Sequence, residues 1–260
     1  MNDRLKILNI WVDPVDRKEA IQRVKNFLTT GTRPHAIIAA NPEKNFSVPK
    51  DALLYDTFKN ADLILPDGMG VVMAARILYG VGLERVPGSE FIFDICDIAV
   101  NGSYKIFIYG AKEAVNKKAV EELTNRYLGL NIVGRANGYV KEPEMLNLIN
   151  RINASGAEIL FLALGSPKQE KWYATHKNLL HHVKVVQGVG GTLDTIAGTV
   201  KRAPEIWCRM QLEWLYRLIM EPRRVKRQKV LPLFAAMVFI AKIKMMRRKS
   251  RKRNFEISGN

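Results

Sequence analysis

The chain has 260 residues, 47% of them hydrophobic and 25% charged, a globular composition that excludes disorder throughout and suits one large α/β domain with or without an appendage. Its 41 Lys and Arg against 25 Asp and Glu give +16, unevenly placed: residues 201–260 hold 17 basic and 4 acidic residues, a net +13, which leaves +3 on residues 1–200. A near-neutral body with a basic tail excludes a general nucleic-acid coat and points to one localised site for something anionic.

Cys96 and Cys208 are the only cysteines and belong to no CxxC or Cys/His cluster, so neither a disulfide framework nor a zinc site is expected, and a reducing, cytosolic compartment fits best. The N-terminal run MNDRLKILNIWVDP is too short and too interrupted for a secretory signal or a membrane span.

In chain order, the pattern predicts strands at Lys6–Val12, Ala36–Ala40, Leu63–Leu65, Lys105–Tyr109, Ile132–Gly134, Ile159–Leu164 and Val183–Gln187. Several are apolar throughout, as strands buried on both faces must be. Between the first two, Asp16 can cap a helix with Ile21, Val24, Phe27 and Leu28 on one face; further helices are expected over 45–59, 88–100, 113–128 and 143–154. This alternation over residues 1–200 predicts a doubly wound, Rossmann-like, mostly parallel sheet with flanking helices. Ligands of such sheets bind beyond the carboxyl ends of the strands. Those ends carry Asn41-Pro42-Glu43-Lys44-Asn45, Pro66-Asp67-Gly68-Met69-Gly70, Gly110-Ala111-Lys112, Gly165-Ser166-Pro167-Lys168-Gln169-Glu170 and Gly188-Val189-Gly190-Gly191.

Beyond residue 200 the alternation stops, and residues 201–260 are expected to form a basic helical C-terminal appendage. Pro204 can start a helix with Ile206, Trp207, Met210, Trp214, Leu215 and Leu218 at helical spacing, interrupted at Pro222. Val230–Ala241 is uncharged, and Lys242–Arg253 is basic. Twelve helical residues rise about 18 Å against the ~30 Å of a hydrocarbon core, so an ordinary transmembrane helix is excluded. The segment can lie on an anionic membrane surface, or dock on the body or on another subunit.

Asp67, between a strand and a Gly-x-Gly turn, suits a general base or a helix cap. Gly68 would let a ligand approach the backbone. Gly110 opens a βα turn like those that meet phosphate, although the full GxGxxG is missing. Gln169 and Glu170 can reach base or sugar hydroxyls. Arg217, Arg223, Arg224 and Arg227 can concentrate on an anion or form a solvated basic face. The four histidines show no metal-ligand spacing, and no Asp-x-Asp occurs.

Together Asn41-Pro42-Glu43, Pro66-Asp67-Gly68, Arg85-Val86-Pro87-Gly88-Ser89-Glu90, Leu164–Glu170, Gly188-Val189-Gly190 and the string AGTVKRAPEIWCRMQLEWLYRLIMEPRRVKR from Ala197 to Arg227 resemble the WecG/TagA/CpsF glycosyltransferases. The resemblance runs from about residue 5 to 227. It implies an inverting, metal-independent transfer of N-acetylmannosamine or a relative from a UDP-sugar to polyprenyl-diphosphate-linked N-acetylglucosamine. No cofactor is implied. The setting it implies is synthesis of wall teichoic acid or another bacterial surface polysaccharide, at the cytoplasmic face of the plasma membrane. It makes Asp67 the base, with Arg85, Gln169 and Glu170 lining the sugar-nucleotide pocket; Asn41, Gly68, Gly110 and Gly190, at the strand ends, are expected to bind substrate beside them. Arg217, Arg224 and Arg227 would face the diphosphate.

Ala39-Ala40 stands where members often carry a threonine, and Leu193 replaces the usual aromatic before the following aspartate. Trp207, Trp214 and the uncharged tail segment offer a surface for a homo-oligomer. The competing reading is a basic nucleic-acid-binding α/β protein whose tail grips phosphates; it leaves the decorated strand ends unexplained.

Overall fold

The computed structural model describes residues 4–200, Pro204, Trp207 and 230–258, with side chains to Arg248. Six strands, β3 (His35–Ala40), β4 (Leu63–Pro66), β5 (Lys105–Gly110), β6 (Asn131–Ala136), β7 (Ile159–Ala163) and β8 (Val185–Gly188), form one sheet in the order β4-β3-β8-β7-β5-β6. Every pairing is parallel. All five residues of β7 are buried, as its position inside a sheet covered on both faces requires.

Successive strand residues point to opposite faces, and the core divides accordingly. Ile37, Leu63, Leu65, Ile108 and Phe161 pack with α1 (Arg17–Thr30), α5 (Gly88–Gly102), α6 (Glu113–Arg126) and α9 (Thr192–Ile196). Ile38, Ile64, Phe107, Tyr109 and Leu160 pack on the opposite face with α3 (Ala52–Lys59), α4 (Met69–Tyr79), α7 (Met145–Ala154) and α8 (Lys168–His176). The adjacent strands β3 and β8 therefore send their chains to opposite faces, and this divergence opens a crevice at their carboxyl ends.

The helix expected after Asp16 forms with a full capping box. The Asp16 carboxylate accepts from Glu19 N at 2.7 Å, and Glu19 Oε2 accepts from Asp16 N at 3.1 Å. Ala20, Val24 and Leu28 are its buried residues.

Two expectations change, and a helix that the pattern did not announce is added. The apolar run Lys6–Val12 is not one strand of the sheet; it is most of a hairpin of β1 (Leu5–Ile7) and β2 (Ile10–Val12), paired antiparallel. Its two-residue turn places Leu8 at φ 58°. Asp13 anchors it, accepting from Arg4 Nε at 2.9 Å and from Ile64 N at 2.6 Å. The helix expected over 45–59 is split into α2 (Lys44–Ser47), a 3-10 turn at Val48–Lys50 and α3, because Pro49 lacks an amide hydrogen. Asp51 then caps α3 by accepting from Leu54 N at 3.0 Å. Finally, Met69–Tyr79 is helical directly after the Asp67 turn and ends at Gly80 with φ 74°, a left-handed cap that suits glycine.

The tail contributes α10 (Val230–Ser258), a single helix through both the uncharged and the basic stretch. It lies against α4: Phe234 and Val238 join the core, and Lys242 Nζ donates to Leu78 O at 3.2 Å. Among the described residues, no helix is long and apolar enough to cross a membrane.

Cys96 is fully buried in α5, and burial pushes its thiol up to about 12. In a Cys208→Ser background the native protein should therefore resist alkylation of Cys96 at neutral pH and become reactive in denaturant. Rapid labelling of the native protein would contradict this burial.

Candidate active site

The site is assembled by turns at the ends of β3, β4, β7 and β8, with the segment before α5 closing one side. After β4, Asp67 lies where Gly88 N, at the start of α5, donates to Asp67 Oδ1 at 3.1 Å. Arg85 Nε donates to Asp67 O at 2.7 Å, and Val86 N to Pro66 O at 3.0 Å. Both the backbone and the carboxylate of Asp67 are thus positioned by the Arg85–Gly88 segment. Sequence alone left Asp67 open between base and cap of its own helix; the cap of α4 is Gly68, and the Asp67 side chain turns to α5 instead.

The turn after β3 packs tightly on this one. Gly68 N donates to Ala40 O at 3.0 Å, and a Cβ on Gly68 would lie 2.9 Å from Pro42 Cδ and 3.2 Å from Asn41 Cα. Glycine at 68 is therefore a requirement of turn-on-turn contact as well as an opening for a ligand. Asn41 Oδ1 accepts from Lys44 N at 3.2 Å and shapes the start of α2.

On the other side, Gln169 Oε1 accepts from Gly190 N at 3.1 Å, tying the start of α8 to the turn after β8. Gly188 is the glycine that this contact needs, since a Cβ there would lie 2.3 Å from Gln169 Nε2. Gln187 Nε2 donates to Gly88 O at 2.9 Å beneath the cleft.

Two cavities meet at these turns. A polar cleft of about 560 Å³ is lined by Ala39, Asn41, Asp67, Arg85, Gln169 and Gly190, among others. An apolar groove of about 430 Å³ runs between α4 and α10 and shares Asn41, Glu43, Asp67 and Arg85 with the cleft. Asp67 thus stands where a polar and an apolar compartment join.

Of the residues singled out by sequence, Asn41, Asp67, Arg85, Gln169 and Gly190 line the cleft, and Gly68 lines the adjoining groove. Gly110 and Glu170 line neither. Gly110 serves strand packing: its φ is +134°, and a Cβ would lie 2.4 Å from the Ala163 carbonyl carbon. Gly110→Ala should cost roughly 1–3 kcal/mol in denaturant unfolding, while turnover per folded molecule is retained. Loss of turnover without loss of stability would instead place Gly110 in the chemistry.

Glu170 is 4% exposed, and its Oε1 accepts from Lys44 Nζ, itself buried, at 2.6 Å. This pair links the segments after β3 and β7 across the cleft floor. Lys44 and Gln187 are the residues that sequence reasoning left without a role. A glutamine at the end of the apolar strand β8 was the available signal for one; nothing local marks the partner of Lys44. Arg217, Arg224 and Arg227 lie outside the described residues. Among the described residues, no three His, Cys, Asp or Glu side chains converge as a metal site.

Comparison with known proteins places this arrangement. The model of the "Glycosyl transferase WecG/TagA/CpsF family" matches residues 5–249. An N-acetylglucosaminyldiphosphoundecaprenol N-acetyl-beta-D-mannosaminyltransferase of Bacillus subtilis is 35% identical over 202 residues, 78% of each chain. The protein of the same name from Staphylococcus aureus strain MRSA252 is 32% identical over 248 residues, 95% of this chain and 96% of its own. The family match takes in the hairpin, the sheet with its decorated ends and most of α10, and this chain belongs to the WecG/TagA/CpsF family of glycosyl transferases.

Proposed function

We propose that the chain transfers N-acetylmannosamine, or a closely related sugar, from its UDP-linked form to polyprenyl-diphosphate-linked N-acetylglucosamine. The single observation that carries this reading is the position of Asp67 at the junction of the polar cleft and the apolar groove. An acceptor hydroxyl reaching that junction can give its proton to the carboxylate as it attacks the anomeric carbon, while UDP leaves from the opposite face. One displacement inverts the anomeric configuration. The names of the relatives supply the acceptor class and the sugar.

Charge on the departing diphosphate needs donors already in place. Arg85 and the turn Gly188–Thr192 line the polar cleft, and the tail arginines at 217, 224 and 227 are the further candidates. An acceptor held in a bilayer also requires the enzyme to work at its surface. Lys244, Arg247 and Arg248 are exposed on α10 and suit anionic headgroups, each worth about 1 kcal/mol. These features fit peripheral association with the inner face of the plasma membrane, in the synthesis of wall teichoic acid or another surface polymer.

The test is a panel of UDP-sugars incubated with a short-chain lipid-diphosphate N-acetylglucosamine, the product's anomeric configuration being read by NMR. The expected result is a disaccharide from UDP-N-acetylmannosamine with inverted configuration. A retained configuration, or a glycan only from another sugar class, would refute the reading. Charge reversal at Lys244, Arg247 and Arg248 should in parallel reduce flotation with phosphatidylglycerol vesicles, with the difference from the wild type largest at low salt and shrinking as salt is raised; unchanged flotation at low salt would remove these residues from membrane contact.

A further inference from the structure

The polar cleft alone has room for a sugar nucleotide, which leaves the apolar groove without a task. Its walls are Met73, Ala74 and Ile77 of α4 and Leu231, Ala235 and Phe239 of α10, with Phe234 and Val238 behind them. All of its charged lining residues, Glu43, Asp67 and Arg85, are shared with the cleft, at its mouth. Nothing in the wall beyond can bond a sugar, a base or a phosphate. Met73 is 56% exposed and Phe239 57% exposed, so the groove is open rather than sealed. Ile240, Ile243 and Met246 continue the exposed apolar surface along the same helix.

A cavity that is polar at one end and apolar at the other, with the proposed base at the join, matches an amphiphile whose reacting head and tail are bound together. Apolar surface of this extent left in water is unfavourable and marks a binding site. Methionine side chains in the wall adapt to a methyl-branched chain. We propose that this groove holds the isoprene units nearest the diphosphate of the acceptor, so that the lipid is gripped by protein before it enters the bilayer. The inference rests on the acceptor class proposed above and adds a subsite to it. The groove then sets how far the acceptor sugar reaches toward Asp67: binding energy from the chain, remote from the reacting atoms, helps to position the hydroxyl.

The experiment measures binding to the full chain, without donor, of inorganic diphosphate, geranyl diphosphate and farnesyl diphosphate. Ala235→Trp fills the groove from α10, where Ala235 is exposed; Met73→Glu places a charge in it from α4. In the wild type, affinity is expected to rise with prenyl length. Each variant should weaken farnesyl diphosphate binding by about tenfold or more. Neither should alter the affinity for inorganic diphosphate, and Ala235→Trp should not alter flotation with phosphatidylglycerol vesicles. Using two variants on different helices guards against a local folding defect in either.

The proposal is overturned if farnesyl diphosphate binds the wild type no more tightly than inorganic diphosphate. It is also overturned if Ala235→Trp lowers flotation while farnesyl diphosphate affinity stays, because the groove would then be a surface that inserts into the bilayer. Chain-length-dependent binding by a protein that glycosylates no lipid-linked acceptor would support the groove and refute the glycosyl-transfer reading.

Discussion

Asp67→Asn is expected to reduce turnover by about 10²–10⁴, the usual contribution of a positioned general base. The substitution isolates the chemistry because the amide keeps the shape of the side chain. Its Oδ1 can still accept the hydrogen bond that Gly88 N now donates at 3.1 Å, and the Arg85 contact goes to the Asp67 carbonyl, which the substitution leaves in place. The melting temperature should therefore move little, and so should the KM for the donor. What is lost is the capacity to take a proton from the acceptor hydroxyl. Single-turnover measurement with saturating donor and acceptor is the decisive readout, since it removes product release from the rate. Wild-type turnover in Asp67→Asn would eliminate Asp67 as the base. A large rise in donor KM with unchanged kcat would make it a binding residue.

The sheet was legible in the chain because strands buried on both faces leave unbroken apolar runs, as in Ile159–Ala163, and the turns that follow carry the polar residues of the cleft. The decorated ends of β3, β4, β7 and β8 could be found for the same reason: the physics that places ligands at strand ends acts on short contiguous segments. What escaped lies in relations between distant segments or in local exceptions. Lys6–Val12 reads as one strand because its two-residue turn contains a leucine, and Leu8 at φ 58° is rare for that side chain. Gly68 and Gly70 disguise the start of α4. Gly70, in the wall of the groove, sits against Pro42, where a Cβ would lie 2.7 Å from Pro42 Cγ, a contact that no window along the chain contains. Gly110 shows the converse relation. It has the position of a phosphate-turn glycine, yet the backbone of Ala163 beside it accounts for its presence.

The second large effect concerns Glu170, whose residue type and position suggested a contact to the sugar nucleotide. In the folded chain its side chain is 3% exposed and bound to Lys44, whose side chain is 6% exposed, while Glu170 Oε2 is buried without a hydrogen-bond partner. A buried pair of this kind gains little over an apolar replacement, but removing one partner strands the other charge. Glu170→Ala should accordingly destabilise the fold by ~3–5 kcal/mol, read as a fall in Tm of roughly 10 °C. Lys44→Met in the same molecule should restore a large part of that loss, because no charge then remains in the site. Activity is informative as well. The pair connects the segment carrying Asn41 to the helix carrying Gln169, so kcat should fall in Glu170→Ala even at temperatures where the protein is folded. Recovery of stability in the double variant without recovery of kcat would identify the pair as a positioning device. A stable Glu170→Ala protein with only a raised donor KM would mean that Glu170 turns outward to the nucleotide, and that the ion pair with Lys44 is not what holds the cleft.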